Sequence, residues 1–192
     1  CFREAGFPPH LVQIVHGGPE IGAALVEAQP DKVVFTGSTS AGRQVAVACA
    51  RHLIPSVLEL GGKDAMIVLA DADIEAASSA AVWGAFTNCG QACLSIERIF
   101  VEESVADRFT QRVAAKASHL RLGPGTDPDI EIGPMISAQA VDRTEVLLRA
   151  AVTEGAQVLA GGNRRPDLGA CYFEPTIVTG VNQGMSLMRK PI

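Results

Sequence analysis

The sequence predicts an α/β fold in which parallel strands are joined by crossover helices. Two observations carry this. Short apolar, β-branched runs alternate with longer stretches of helical periodicity, in the order strand, helix, strand, helix, strand. The composition, 47% hydrophobic with 19 glycines, suits such a fold and supports a packed core in a chain of 192 residues.

The elements follow in order. Leu11 to Val15 is apolar and β-branched and is expected to form a short buried strand. Pro19-Glu20 opens a helix over Ile21, Ala24, Leu25 and Ala28, which Pro30 ends. Lys32 to Phe35 is a second strand, turning through Thr36-Gly37-Ser38-Thr39 into a helix that ends before Pro55. Ser56 to Leu60 is a third strand, broken by Gly61-Gly62, and two adjacent glycines there give a hinge-like boundary. Ala65 to Leu69 is a further strand, and Asp71 and Asp73 cap a helix over residues 74–86. A turn of small residues spans Asn88 to Cys93. Arg98 to Val101 is a strand, and a long amphipathic helix runs from Ser104 to about His119. After a loop, Ser137 caps a helix reaching about Glu154. Gln157 to Leu159 and Tyr172 to Val178 close the pattern, the first ending in Gly161-Gly162.

Composition also excludes function classes. The net charge is −5 with no basic run, against a nucleic-acid partner. No apolar run approaches the roughly 20 residues of a membrane helix, so no membrane role is expected. Five cysteines, an odd number in a chain of this size, argue against a disulfide framework and for a reducing compartment, hence a cytoplasmic location. No Cys/His cluster has metal-ligand spacing, and His10, His16, His52 and His119 are scattered.

Three segments point to chemistry. In Phe35-Thr36-Gly37-Ser38-Thr39 a strand enters a helix through glycine and hydroxyls, and free N–H groups at a helix start attract phosphate. An ordinary N-capped helix is the alternative. In Leu58-Glu59-Leu60-Gly61-Gly62-Lys63 a lone carboxylate stands at the C-terminal end of a parallel strand, where α/β folds place ligands. It suits a general base, or equally a strand-edge Glu facing solvent or pairing with Lys63. In Asn88-Cys89-Gly90-Gln91-Ala92-Cys93 a cysteine follows a glycine turn, where a thiolate can add to a carbonyl. Two core cysteines are the alternative.

Taken together these segments resemble the aldehyde dehydrogenase family. Leu58-Glu59-Leu60-Gly61-Gly62-Lys63-Asp64 is similar to its glutamate signature. Phe86-Thr87-Asn88-Cys89-Gly90-Gln91-Ala92-Cys93, followed by Arg98, is similar to its cysteine signature. Phe35 to Thr39 with Gly42 resembles its coenzyme-phosphate turn. Weaker likenesses lie at Glu4 to Pro9, Ile132-Gly133-Pro134, Glu154-Gly155-Ala156 and Tyr172 to Thr176.

The resemblance implies part of a Rossmann-like dinucleotide-binding domain (1–60) followed by most of an α/β catalytic domain (61–192), within an internal segment of a longer protein. It implies oxidation of a small-molecule aldehyde to a carboxylic acid with NAD or NADP. Cys93 takes the nucleophile's place and Glu59 that of the base activating the deacylating water. Gly37 and Ser38 approach the coenzyme pyrophosphate, and Leu60 lies near the nicotinamide. Gly62 lies near the thioester, and Arg98 fixes the loop after the nucleophile. The whole protein is expected to be a homo-oligomer. The family's Glu-Glu-x-Phe-Gly-Pro stretch is replaced here by Met188-Arg189-Lys190-Pro191-Ile192. The 192-residue chain alone is expected to bind NAD poorly and to lack activity. Two rival readings are a non-catalytic member of the fold and an esterase using the same thiol.

Overall fold

The computed structural model describes residues 1–190. The chain divides into two compact units, Cys1–Leu60 and the residues from Gly61 onward.

In the first unit, helix α1 (Pro19–Glu27) begins on a proline, whose fixed φ and missing N–H suit a first turn. Strand β1 (Val33–Gly37), helix α2 (Thr39–Arg51) and strand β2 (Ser56–Leu60) form one crossover. β1 and β2 pair in parallel, from Val33 opposite Ser56 to Gly37 opposite Leu60. Their small core is Val26 of α1, Cys49 of α2 and Ile54. His52 contacts the Glu27 carboxylate at 3.1 Å, which ties the end of α2 to α1.

The expected strand from Leu11 to Val15 does not form. These residues have no strand conformation, and Leu11, Val12, Ile14 and Val15 are all exposed. β propensity reflects packing on a pleated, half-buried surface, and here no neighbouring strand supplies one among the described residues.

The second unit starts with β3 (Asp64–Val68), α3 (Ile74–Phe86) and β4 (Ile96–Val101), with β3 and β4 parallel and α3 as the crossover. Asp73 caps α3 by accepting from Glu75 and Ala76 N–H at 2.9 and 3.1 Å. Helix α4 (Glu103–Ser118) buries Val105, Phe109, Val113 and Ala117, every fourth residue, against α3 and Val68. Glu102, exposed at the start of α4, accepts from the Ala70 N–H at 2.7 Å and fastens the end of β3 to that helix.

Helix α5 (Ala138–Thr153), capped by Ser137 through the Ala140 N–H, packs Val141 and Leu148 on Phe173. β5 (Gln157–Ala160) pairs antiparallel with β6 (Ile177–Thr179). The segment from Tyr172 to Val178, which closes the sequence pattern, pairs in two separate stretches: Phe173 bridges Arg164 antiparallel, and Ile177 and Val178 belong to β6. Pro175 has no N–H to give, and the Thr176 hydroxyl is engaged by Gly162 N–H and Glu174 C=O. Gly161 sits at φ +68, where a Cβ would lie 2.1 Å from the Pro175 carbonyl oxygen, so only glycine fits. Ser186–Met188 forms a short 3₁₀ turn. The C-terminal departure expected at 188–192 falls partly on 191–192, outside the described residues. Among the described residues the sheets are three two-stranded pairs.

Candidate active site

Four of the five residues singled out lie at one edge of the first unit's sheet. In the parallel register Thr36 faces Glu59 and Gly37 faces Leu60, so all stand at the C-terminal ends of neighbouring strands. Parallel strand ends are where open α/β sheets bind ligands. Ser38 follows at once as the N-cap of α2, accepting from the Ala41 N–H at 3.2 Å and touching the Ser40 hydroxyl at 3.1 Å. α2 has thirteen residues, and its first-turn N–H groups point along the axis toward this edge. Gly42, on the first turn of α2, is buried against Leu60. A methyl there would come 2.5 Å from a Leu60 Cδ, so glycine lets the helix lie close to the strand end. The Glu59 side chain is exposed within its unit.

Cys93 belongs to the second unit. It is exposed and occupies a turn closed by the Ser95 N–H to the Ala92 carbonyl at 3.1 Å. Ser95 is 3% exposed and donates to the carbonyls of Gly84 and Ala85 at 3.3 and 3.2 Å, in the last turn of α3. Gly90 has φ +72, and a Cβ there would meet the Ala85 carbonyl oxygen at 2.9 Å. The turn is therefore pressed onto the end of α3 and held there by one hydroxyl.

Between α3 and Cys93 the backbone is strained. Asn88 (φ 53, ψ 38) and Cys89 (φ 59, ψ 27) are both left-handed, and Gly90 continues the hand. Each non-glycine residue in that region costs on the order of 1 kcal/mol or more, so surrounding bonds must hold it. The Asn88 side-chain amide donates to the Gln91 carbonyl at 3.0 Å, and the Gln91 N–H donates to the Asn88 carbonyl at 3.0 Å. The Cys89 thiol donates to the Gly133 carbonyl at 3.1 Å. The Gln91 side-chain oxygen accepts from the Ile136 N–H at 3.0 Å.

The two cysteines of this segment therefore differ in kind. Burial pushes the Cys89 thiol above its ordinary range, with the Gly133 contact opposing in part, so it remains a protonated donor. Cys93 is the one open to solvent.

Past the Gly61-Gly62 step, Lys63 forms a close ion pair with Glu97 of β4, the two side chains only 10% and 14% exposed. This settles the partner of Lys63. Arg98 donates from Nε to the Lys63 carbonyl at 2.8 Å. A methyl at Gly62 would lie 3.4 Å from the Cys93 carbonyl oxygen, so the segment after the glycine pair runs beside the thiol-bearing turn. The contacts of Cys89, Gln91, Ser95 and Glu97 were not anticipated from sequence. Only Glu97 left a signal, a carboxylate next to Arg98 inside an otherwise apolar strand.

A cavity of about 340 Å³ in the second unit is walled by Cys89, Gln91, Arg98, Phe109 and Phe173, among others. Cys93 is not in its wall, so this cavity lies behind the turn rather than at the exposed sulfur. Among the described residues no group of three His, Cys, Asp or Glu is placed to hold a metal ion, and no helix is long and apolar enough to cross a membrane.

Comparison with known proteins gives a consistent answer. The model of the aldehyde dehydrogenase family matches residues 1–192. A vanillin dehydrogenase from Amycolatopsis sp. is 44% identical over 180 residues, covering 93% of this chain and 36% of that protein. A betaine aldehyde dehydrogenase from Cereibacter sphaeroides is 37% identical over 190 residues, 98% of this chain and 39% of its own length. Among solved structures, PnpE in complex with nicotinamide adenine dinucleotide superposes with a TM-score of 0.93 at 39% identity, over 98% of this chain and 40% of that one. The chain thus spans well under half the length of the relatives it matches, and it shares their α/β fold. On the family match over its whole length and these likenesses, the chain belongs to the aldehyde dehydrogenase family.

Proposed function

We propose that the whole protein oxidises an aldehyde to a carboxylic acid with NAD or NADP, through a thioester on Cys93. The observation that carries the reading is the exposed Cys93 on a turn bolted to the end of α3, beside a second, half-buried cysteine engaged as a hydrogen-bond donor. In this reading residues 1–60 supply the C-terminal half of the dinucleotide-binding domain and residues 61–192 the thiol-bearing catalytic domain. The nicotinamide adenine dinucleotide held by PnpE, and the resemblance in sequence, support the coenzyme class.

The residues present fit that coenzyme. Gly37 and the Ser38-capped start of α2 offer N–H donors and a hydroxyl to a pyrophosphate, and Leu60 at the neighbouring strand end offers an apolar contact to a nicotinamide. When bound, the dinucleotide supplies the acceptor for the hydride lost as the thiohemiacetal becomes a thioester. The remaining steps belong to the chain. The Cys93 thiolate adds to the aldehyde carbon and forms a C–S bond. The Cys93 backbone N–H donates to the developing oxyanion. Glu59 then takes a proton from water as its oxygen attacks the thioester carbon, and the C–S bond breaks to return the thiolate and release the acid. The presence of Glu59 favours water over coenzyme A as acyl acceptor. The same family likeness supports a homo-oligomer, and the five free cysteines suit a reducing, cytoplasmic compartment.

The test uses the whole protein, NAD and NADP, and a panel of aromatic and aliphatic aldehydes. Cys93→Ala is expected to abolish oxidation. Glu59→Gln is expected to acylate and then stall, leaving an acyl-enzyme visible by mass spectrometry. Iodoacetamide is expected to label Cys93 before Cys89. Normal turnover in either variant would remove that residue from the mechanism.

A further inference from the structure

The turn carrying Cys93 does not hold its shape alone. Its two left-handed residues are fastened from outside by two side chains that reach the same segment, residues 133–136. Cys89 gives its thiol proton to the Gly133 carbonyl, and Gln91 takes the Ile136 N–H through its side-chain oxygen. One donates and one accepts, so the two contacts fix both position and direction. The receiving segment is itself fixed. Ile132 is buried and exchanges backbone bonds with Arg121 and Gly123 at 3.1 Å each, and the Met135 N–H reaches the Cys171 carbonyl at 2.8 Å. Neither Cys89 nor Gln91 has a role in the chemistry set out above.

We propose that Cys89 and Gln91 are positioning residues, a two-point latch that anchors the strained 88–91 turn to the 133–136 segment and so aims the Cys93 sulfur at its carbonyl. The inference rests on the reading of Cys93 as nucleophile. Gln91 is two residues from Cys93, and its own carbonyl is held by Asn88. Loss of the side-chain contact therefore frees the backbone next to the sulfur, while the sulfur itself and its surroundings stay chemically the same. Misplacement by about 1 Å of a reacting group lowers a rate by roughly a hundredfold.

The experiment separates acceptor and donor from bulk. In the whole protein, Gln91→Met removes the acceptor at nearly constant volume, whereas Gln91→Glu keeps an oxygen for the Ile136 N–H. Likewise Cys89→Ala removes the donor, and Cys89→Ser keeps one. The readout is the burst of nitrophenolate from p-nitrophenyl acetate, which reports acylation of Cys93 without coenzyme, with thermal melting as the check on folding. Gln91→Met and Cys89→Ala are expected to slow the burst roughly 10- to 100-fold. Gln91→Glu and Cys89→Ser are expected to restore most of it. Should Gln91→Met fail to fold, the Cys89 pair makes the same comparison. Burst rates like the parent's in Gln91→Met and Cys89→Ala overturn the latch, as do Glu and Ser variants no better than Met and Ala. Cys93→Ala is run beside them. A burst that survives in Cys93→Ala sinks the nucleophile assignment and the latch with it, whereas a lost burst there, with normal rates in the latch variants, sinks the latch alone.

Discussion

The pair of Lys63 and Glu97 offers the clearest energetic test of how the thiol-bearing unit is held. Both side chains are nearly enclosed, at 10% and 14% exposed. Glu97→Leu leaves the Lys63 ammonium with little water and no counter-ion. Breaking a buried pair on one side costs about 3–5 kcal/mol. An exposed pair in the same unit, Arg165 with Asp167, is 37% and 57% exposed and by contrast contributes little, since water screens it. Replacing both partners with apolar residues, Lys63→Met with Glu97→Leu, removes the charge that would be stranded. The double variant is therefore expected within about 1 kcal/mol of the parent, because desolvation roughly offsets attraction in an enclosed pair. The measurement is urea unfolding of the whole protein and the two single and one double variants, followed by circular dichroism and analysed as a double-mutant cycle. Because each single strands a charge at about 3–5 kcal/mol while the double costs about 1 kcal/mol or less, a coupling of at least about 5 kcal/mol is expected, little changed by 1 M salt since burial limits screening. A Glu97→Leu cost below about 1 kcal/mol, or additivity of the two singles, would show that the pair behaves as a surface contact and refute the reasoning.

Two further outcomes follow from the C-terminal part of the second unit. Gly161→Ala forces a Cβ to within 2.1 Å of the Pro175 carbonyl at a left-handed φ, and is expected to destabilise by roughly 2–3 kcal/mol in the same urea assay. An unchanged midpoint would mean the backbone there is free to move. Arg164 bridges Asp142 and Glu145 of α5, and its hydrogen bond holds the Glu145 carboxyl below its ordinary 4.5. A carboxyl lowered in the folded state stabilises fully above its unfolded value and loses that contribution as pH falls through the folded one. Hydrogen exchange around residues 163–165, corrected for intrinsic rate, is therefore expected to quicken on acidification below about 4.5. Quickening instead between pH 5 and 8 would assign the effect to another group.

Much of the fold was legible in the sequence. The crossover segments carry their own local signals: Asp73 and Ser137 as caps, Pro19 at a helix start, and the fourfold spacing of Val105, Phe109, Val113 and Ala117. The failure at Leu11 to Val15 shows the limit of those signals, because a β-branched run becomes a strand only where another strand receives it. Of the site, Glu59, Leu60, Gly37 and Ser38 fall together at one sheet edge because sequence already placed them at strand ends. The supports of Cys93 were not legible. Cys89 reaches a carbonyl 44 residues away and Gln91 an N–H 45 residues away. Contacts between a side chain and a distant backbone group leave no periodicity, and the left-handed conformation of Asn88 and Cys89 has no glycine to announce it.

Ile67 and Phe100 are register partners on β3 and β4, and they are 71% and 41% exposed on the side away from α3 and α4. Parallel strands are ordinarily sheltered on both faces. Among the described residues no further strand pairs with either edge of this two-stranded sheet, and a wet apolar ladder of that kind invites any extended chain nearby, which gains pairing and contact in one step. Purified at high concentration, this 192-residue polypeptide is thus prone to stick to itself through that ladder. A lysine at position 67 is the economical remedy for anyone who needs it in solution.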